Sequence, residues 1–141
     1  MCLIIDADVM SRCFNGDSDF LPVYEALLRK KAIAFYGGKL ADEYAKMTTF
    51  RSRIAAMDRI GAFKQFSRNS VESETKTVAD SKLCRSNDVH IIALARVSHC
   101  RLLCSNDKKL HADFTNPKIL KPKGSVYSSK KHSHLIHKHC K

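Results

Sequence analysis

Leu3-Ile4-Ile5-Asp6-Ala7-Asp8 is the stretch on which the reading of the fold turns. Three aliphatic residues in a row lack the alternation of a half-exposed strand, so they read as a short strand buried on both faces. Two carboxylates follow at once. An acid at the rim of a core is costly unless a partner waits for it.

Outward from that strand, the apolar residues Val9-Met10 and Cys13-Phe14 fall at helical spacing, which predicts a short helix from about Asp8. Asp19 suits the N-cap of a second helix, with Pro22 in its first turn. Ala32–Tyr36 reads as a second strand, closed by Gly37-Gly38. Helices are expected over Lys39–Met47 and Thr49–Phe63, the latter carrying Phe50, Ile54, Met57 and Gly61 on one face. From Ser67 to Asn87 the chain turns polar and reads either as a weak strand or as an extended loop. Ser86–Val97 has a capping residue, an early acid and apolar residues nearly all round, the pattern of a buried helix. Arg101–Ser105 reads as a strand, and Asn106-Asp107 leads into a short helix over Lys108–Phe114. Lys118–Leu120 and Ser125–Tyr127 each suit a last short strand. Strands alternating with helices predict a three-layer α/β/α sandwich around a mostly parallel sheet.

The totals agree with one domain. A chain of 141 residues, 44% hydrophobic and 28% charged, can bury a core and is not composed like a disordered one. No apolar run approaches the ~20 residues of a membrane helix, and the opening lacks the form of a signal peptide, so a cytoplasmic protein with no membrane partner is expected. Six scattered cysteines without a C-x-x-C pair are expected as reduced core residues. Net charge is +11, yet Pro117–Lys141 alone holds seven lysines and no acid. That asymmetry suggests a polyanion as partner. Residues 1–127 are expected as the domain, and residues 128–141 as a flexible basic tail.

In parallel sheets ligands gather outside the carboxyl ends of strands, where strand order reverses. Asp6 ends the first strand, Asp107 follows the Arg101–Ser105 strand, and Asp88 opens the buried helix between them in sequence. On the Lys39–Met47 helix, steps of ~100° put Tyr44 and Met47 near Leu40, Glu43 roughly 60° to one side, and Asp42 nearly opposite. Glu43 therefore reaches the rim of the core and Asp42 faces water. Four acids brought together without cations would raise one another's pKa, and a divalent ion removes that conflict. Mg²⁺ and Mn²⁺ prefer such oxygen ligands, and a basic protein with an acidic metal pocket suits a phosphodiester substrate.

Taken in series, LIIDADVM, LADEYAKM, SNDVHIIALA and LLCSNDKKL resemble the PIN-domain family over residues 2–116. The resemblance implies a metal-dependent nuclease acting on single-stranded RNA, in many members the toxin of a toxin–antitoxin pair and often a homodimer. It implies Asp6, Glu43, Asp88 and Asp107 as the catalytic acids holding one or two Mg²⁺ or Mn²⁺ ions. Ser105, with Asn106 beside it, stands where the family places a Ser or Thr supporting the last acid. Asp8 occupies a place more often held by Asn, and keeps an oxygen ligand there. Residues 67–87 and those beyond Tyr127 match no family pattern.

Lys39, Lys46, Arg51, Lys108 and Lys109 neighbour these acids in sequence and are candidates for phosphate contacts. Asp58, flanked by Arg51 and Arg59, reads as an ion-pair residue. His132, His134, His137, His139 and Cys140 crowd the end in a pattern too loose to define a metal site. Two other functions remain open. Asp6-Ala7-Asp8-Val9 also resembles the opening of haloacid-dehalogenase phosphatases, with Asp6 as nucleophile and Asp8 as acid/base. A PIN-like module that binds RNA or protein without cutting is the non-enzymatic alternative.

Overall fold

The computed structural model of the chain describes residues 2–139, with the side chain of His139 left out. Cys140 and the His139 side chain therefore lie outside the described residues. The elements are β1 (Cys2–Ile5), α1 (Ala7–Phe14), α2 (Leu21–Leu28), β2 (Ile33–Gly37), α3 (Lys39–Ala45), α4 (Arg51–Arg59) and β3 (Phe63–Phe66). There follow α5 (Arg68–Ser81), α6 (Val89–Ser98), β4 (Leu102–Cys104), α7 (Lys108–Phe114), β5 (Ser125–Tyr127), a 3₁₀ turn (Lys130–His132) and α8 (His134–His139).

The five strands form one sheet in the order β3-β2-β1-β4-β5, every neighbouring pair parallel. The chain moves outward from β1 to β3, then returns across the sheet to β4 and β5. Right-handed crossovers in opposite directions put α1–α4 on one face and α5–α7 on the other. The result is the α/β/α sandwich with a central parallel sheet expected from the sequence. Order reverses between β1 and β4, which pair through Ile4–Leu103 and Ile5–Cys104. That register brings Asp6 and Ser105 level with each other at the switch point.

The central strands are buried without alternation: Leu3, Ile4, Ile5, Leu102, Leu103 and Cys104 are all inaccessible to solvent. Truncating one of these aliphatics to Ala would cost about 2–5 kcal/mol. The face under α1–α4 is filled by aromatic rings, with Phe14 stacked on Phe50 at 5.7 Å and near Phe63 at 6.5 Å. Gly37 and Gly38 end β2 because nothing larger fits. A Cβ on Gly37 would stand 2.8 Å from the Phe66 carbonyl oxygen, and one on Gly38 2.9 Å from Val71 Cγ1.

Five expectations change. The helix predicted over Thr49–Phe63 stops at Arg59, and Phe63–Phe66 is the third strand, an edge strand with Lys64 and Gln65 exposed. The undecided Ser67–Asn87 segment is mostly helix: Ser67 caps α5 by accepting from the Ser70 N–H, and Val71 and Val78 are its buried residues. Asp19 does not cap α2, whose N-cap is Phe20. The Asp19 carbonyl accepts instead from the Tyr127 hydroxyl at 2.5 Å, and its carboxylate from the Lys130 N–H at 3.2 Å. Lys118–Leu120 is a turn rather than a strand, though Ile119 and Leu120 are buried. The segment expected as a flexible tail is packed where it is described: Ile136 is buried, and the Ser128 N–H donates to His132 Nδ1.

Candidate active site

Asp6 leaves β1 with its N–H donating to the Cys104 carbonyl (2.9 Å), so the ends of β1 and β4 are tied at the backbone. One residue earlier, the Ile5 carbonyl accepts the hydroxyl of buried Tyr44 on α3. The backbone on both sides of the Ile5–Asp6 peptide is therefore tied down. Its side chain does not cap α1 and turns to the site, where Ser105 Oγ donates to Asp6 Oδ2 at 3.0 Å. The same Ser105 Oγ accepts the Asp107 N–H at 3.0 Å. One hydroxyl thus links the first acid to the last.

Asp107 caps α7, its Oδ1 accepting the N–H groups of Lys109 (3.0 Å) and Leu110 (3.3 Å). Asp8 reaches across the same gap, its Oδ2 accepting the Asn106 N–H at 3.2 Å. Asp88 is the N-cap residue of α6, its own N–H held by Ser86 Oγ at 2.9 Å. Glu43 is carried to the rim by α3, while Asp42 points away and pairs with Arg68.

Electrostatics show how closely these groups gather. Asp6 is 5% exposed, and its pKa is pushed from 3.8 up to about 7. Burial is the largest cause, followed by the charge of Asp8; Asp88 and Glu43 add to it, and the Ser105 hydrogen bond opposes. Asp8, open on one side, is raised as well, first by the protein around its carboxylate, then by Asp107 and Asp88 against the Asn106 N–H and His111. Asp6 and Asp8 between them therefore feel the charges of Asp88, Asp107 and Glu43 at one edge.

Two histidines join them that the sequence reading did not select. His90, 3% exposed on α6, donates from Nε2 to Glu43 Oε1 at 2.8 Å, and its Nδ1 is buried without a hydrogen-bond partner. Burial lowers its pKa, against the pull of Glu43 and Asp88. His111 donates from Nε2 to the Ser105 carbonyl at 2.6 Å. The signal for His90 was its place in the first turn of an apolar helix, just behind Asp88. Nothing in the sequence pointed to Glu43, 47 positions earlier.

The candidate cations divide. Lys39 opens α3 close enough for its charge to oppose protonation of His90, and Lys108 and Lys109 follow Asp107. Lys46 stands at the other end of α3, about 10 Å along its axis. Arg51 lines a separate pocket with Tyr36, Tyr44, Ile54 and Gln65. Among the described residues neither forms an ion pair with a predicted acid. Asp58 accepts from the Tyr36 hydroxyl, and forms no ion pair with Arg51 or Arg59 among the described residues.

In kind, the donor set suits a hard divalent cation: carboxylate oxygens around a buried acid already raised by like charge. In placement it is not closed. Among the described residues, no three His, Cys, Asp or Glu side chains stand close enough to hold one ion as they lie. Glu43 is turned to His90 and Asp107 to its own helix, so a metal would have to draw both inward.

Comparison with known proteins returns no match: no family model, no curated protein and no solved structure is significantly similar to this chain. Among the described residues no helix is long and apolar enough to cross a membrane.

Proposed function

We propose that the chain is a PIN-like, metal-dependent phosphodiesterase that cleaves single-stranded RNA. The observation that carries the reading is Asp6, a buried carboxyl raised to about 7 by burial and by Asp8, Asp88 and Glu43 at the switch point of a parallel sheet. Stability alone gives no reason to gather acids there. Mg²⁺ or Mn²⁺ held by Asp6, Asp88, Asp107 and Glu43, with Asp8 beside them, would offset their repulsion and activate water toward a phosphodiester. Ser105 fixes the Asp6 oxygen and the Asp107 backbone in one arrangement. His90 holds Glu43 at the rim, and Lys39, Lys108 and Lys109 draw phosphates toward an otherwise anionic edge. The inhibitory antitoxin and the homodimer that the family resemblance implies belong to the same reading.

The phosphatase alternative is disfavoured by the same acid. A nucleophilic aspartate must be accessible to its substrate, and Asp6 is buried at the strand end and only partly ionised at neutral pH. The non-cutting RNA-binding module draws support from the open ligand geometry. The deciding experiment is cleavage of labelled single-stranded RNA in Mg²⁺ or Mn²⁺ by wild type, Asp6→Asn and Asp107→Asn. Chelator-sensitive cleavage by wild type alone is the expected result. Equal activity in all three, or activity that survives chelation, overturns the nuclease reading.

A further inference from the structure

The opposite edge of the sheet carries a site of the opposite charge. Two pockets of ≈ 460 Å³ and ≈ 380 Å³ adjoin there, sharing His99 and Arg101 as a common wall. The first is completed by Arg96, Lys118, Ile119 and Lys121, the second by Cys2, Pro122, Lys123 and Lys138. Six cationic side chains line the pair, and among the described residues no carboxylate does.

The two arginines build the walls. Arg101 donates to the carbonyls of Ala95 (2.7 Å), Cys100 (3.0 Å), Lys121 (2.9 Å) and Pro122 (2.8 Å), pinning the loop before β5 to the end of α6. Among the described residues no carboxylate pairs with it. Arg96 binds the Ile119 carbonyl and pairs with Glu74 at 3.0 Å, which occupies the carboxylate on that side. Lys118, Lys121, Lys123 and Lys138 are exposed and form no ion pair among the described residues. Four exposed ammonium groups thus stand over a hydrogen-bonded guanidinium floor.

We propose that this double pocket is a second nucleic-acid site, in which Lys118, Lys121, Lys123 and Lys138 hold successive phosphates of a single RNA strand. The lining decides between RNA and an acidic protein. Protein interfaces are anchored by aromatic and apolar groups and are poor in lysine at their centres. Here no Phe, Tyr or Trp lines either pocket, and Ile119 and Pro122 stand among six cationic side chains. With His99 as the single ring in the lining, bases contribute little, and binding is chiefly electrostatic and indifferent to sequence. The site lies about 13 Å from Asp6, the length of β1, so it serves to retain long strands rather than to position the scissile bond.

The inference rests on the RNA reading above but not on cleavage, and the test separates the two. Binding of labelled single-stranded RNA is followed by anisotropy in chelator across a salt series, using Asp107→Asn protein so that nothing is cut. A fourfold variant (Lys118→Gln, Lys121→Gln, Lys123→Gln, Lys138→Gln) is compared with a Lys39→Gln, Lys108→Gln, Lys109→Gln variant, with circular dichroism confirming the fold of each. The fourfold variant is expected to bind about tenfold or more weakly, with the slope of log affinity against log salt reduced by about 3. Loss confined to the Lys39, Lys108 and Lys109 variant overturns this site and leaves the nuclease reading standing. Binding to a polyglutamate chain but not to RNA overturns it in favour of a protein partner. Salt-sensitive RNA binding through the four lysines by a wild type that never cuts RNA upholds this site and removes the nuclease.

Discussion

The two edges of the sheet, one strand length apart, are built on opposite principles. At the carboxyl edge short side chains are held hard: Asp6 between backbone, Ser105 and the end of β4, Asp107 by its helix, Glu43 by a buried histidine. At the amino edge long side chains stand free on a loop and on α8. The difference follows from the side chains. A carboxylate on one methylene must be carried into place by the backbone and loses its water there, whereas a lysine packs its stem and keeps its charge wet. Rigidity suits chemistry at a point, and loose charge suits retention of a polymer whose position is not fixed.

The largest effect that would break the comparison is on cleavage itself. Asp6→Asn or Asp107→Asn should lower the RNA cleavage rate on the order of 10³-fold, while the fourfold lysine variant keeps kcat and raises KM for long strands only. Loss of kcat in the lysine variant would mean that the edges do not divide these tasks.

Next is stability against pH. In the folded chain Asp6 keeps its proton up to about pH 7, whereas in the unfolded chain it releases it near 3.8. The native state therefore binds the extra proton in that window, and the Asp6 contribution falls as pH rises from about 4 to 7 and is flat above, by up to about 4 kcal/mol. Asp6→Asn should remove that slope. In chelator, urea titration should show the variant gaining on wild type from pH 4 to 7, and Mn²⁺ at pH 8 should narrow the gap. A gap that shrinks with rising pH would refute the burial of an acid among like charges.

A smaller effect concerns His90. His90→Phe keeps a flat ring but leaves Glu43 without its donor, and Mn²⁺ affinity measured by calorimetry should fall 10–100-fold, as when a supporting partner is lost at a metal site. Unchanged affinity would make the pair a feature of packing alone. Smallest is the expected change in stability when Lys121 or Lys123 becomes Gln, within about 0.5 kcal/mol by thermal melts. A larger loss would place the amino edge in the architecture rather than in binding.

Much of this was legible along the chain. Leu3-Ile4-Ile5 announces a central parallel strand because both its faces are covered, and helical phase separates Glu43 from Asp42. What was missed had weak local signals. Phe63-Lys-Gln-Phe66 is an edge strand with two exposed polar residues, so it lacks the apolar run of the inner strands. α5 buries Val71 and Val78, two turns apart on one face, and is otherwise polar; its capping Ser67 and that spacing were the signals available. The final segment read as a tail because of its lysines, and its anchors, Ile136 and the Asp19–Lys130 bond, join residues more than a hundred positions apart or isolated among polar neighbours.

The sequence by itself determined that strands and helices alternate, that the chain has one core, and which acids stand at strand and helix ends, since periodicity and end signals are local properties of the chain. Tertiary structure alone decided that the sheet order reverses beside β1, that Ser105 joins Asp6 to Asp107, that a buried histidine holds Glu43, and that scattered lysines line one groove. Those are contacts between residues far apart in the chain, and only strand pairing and helix packing set the distance between them.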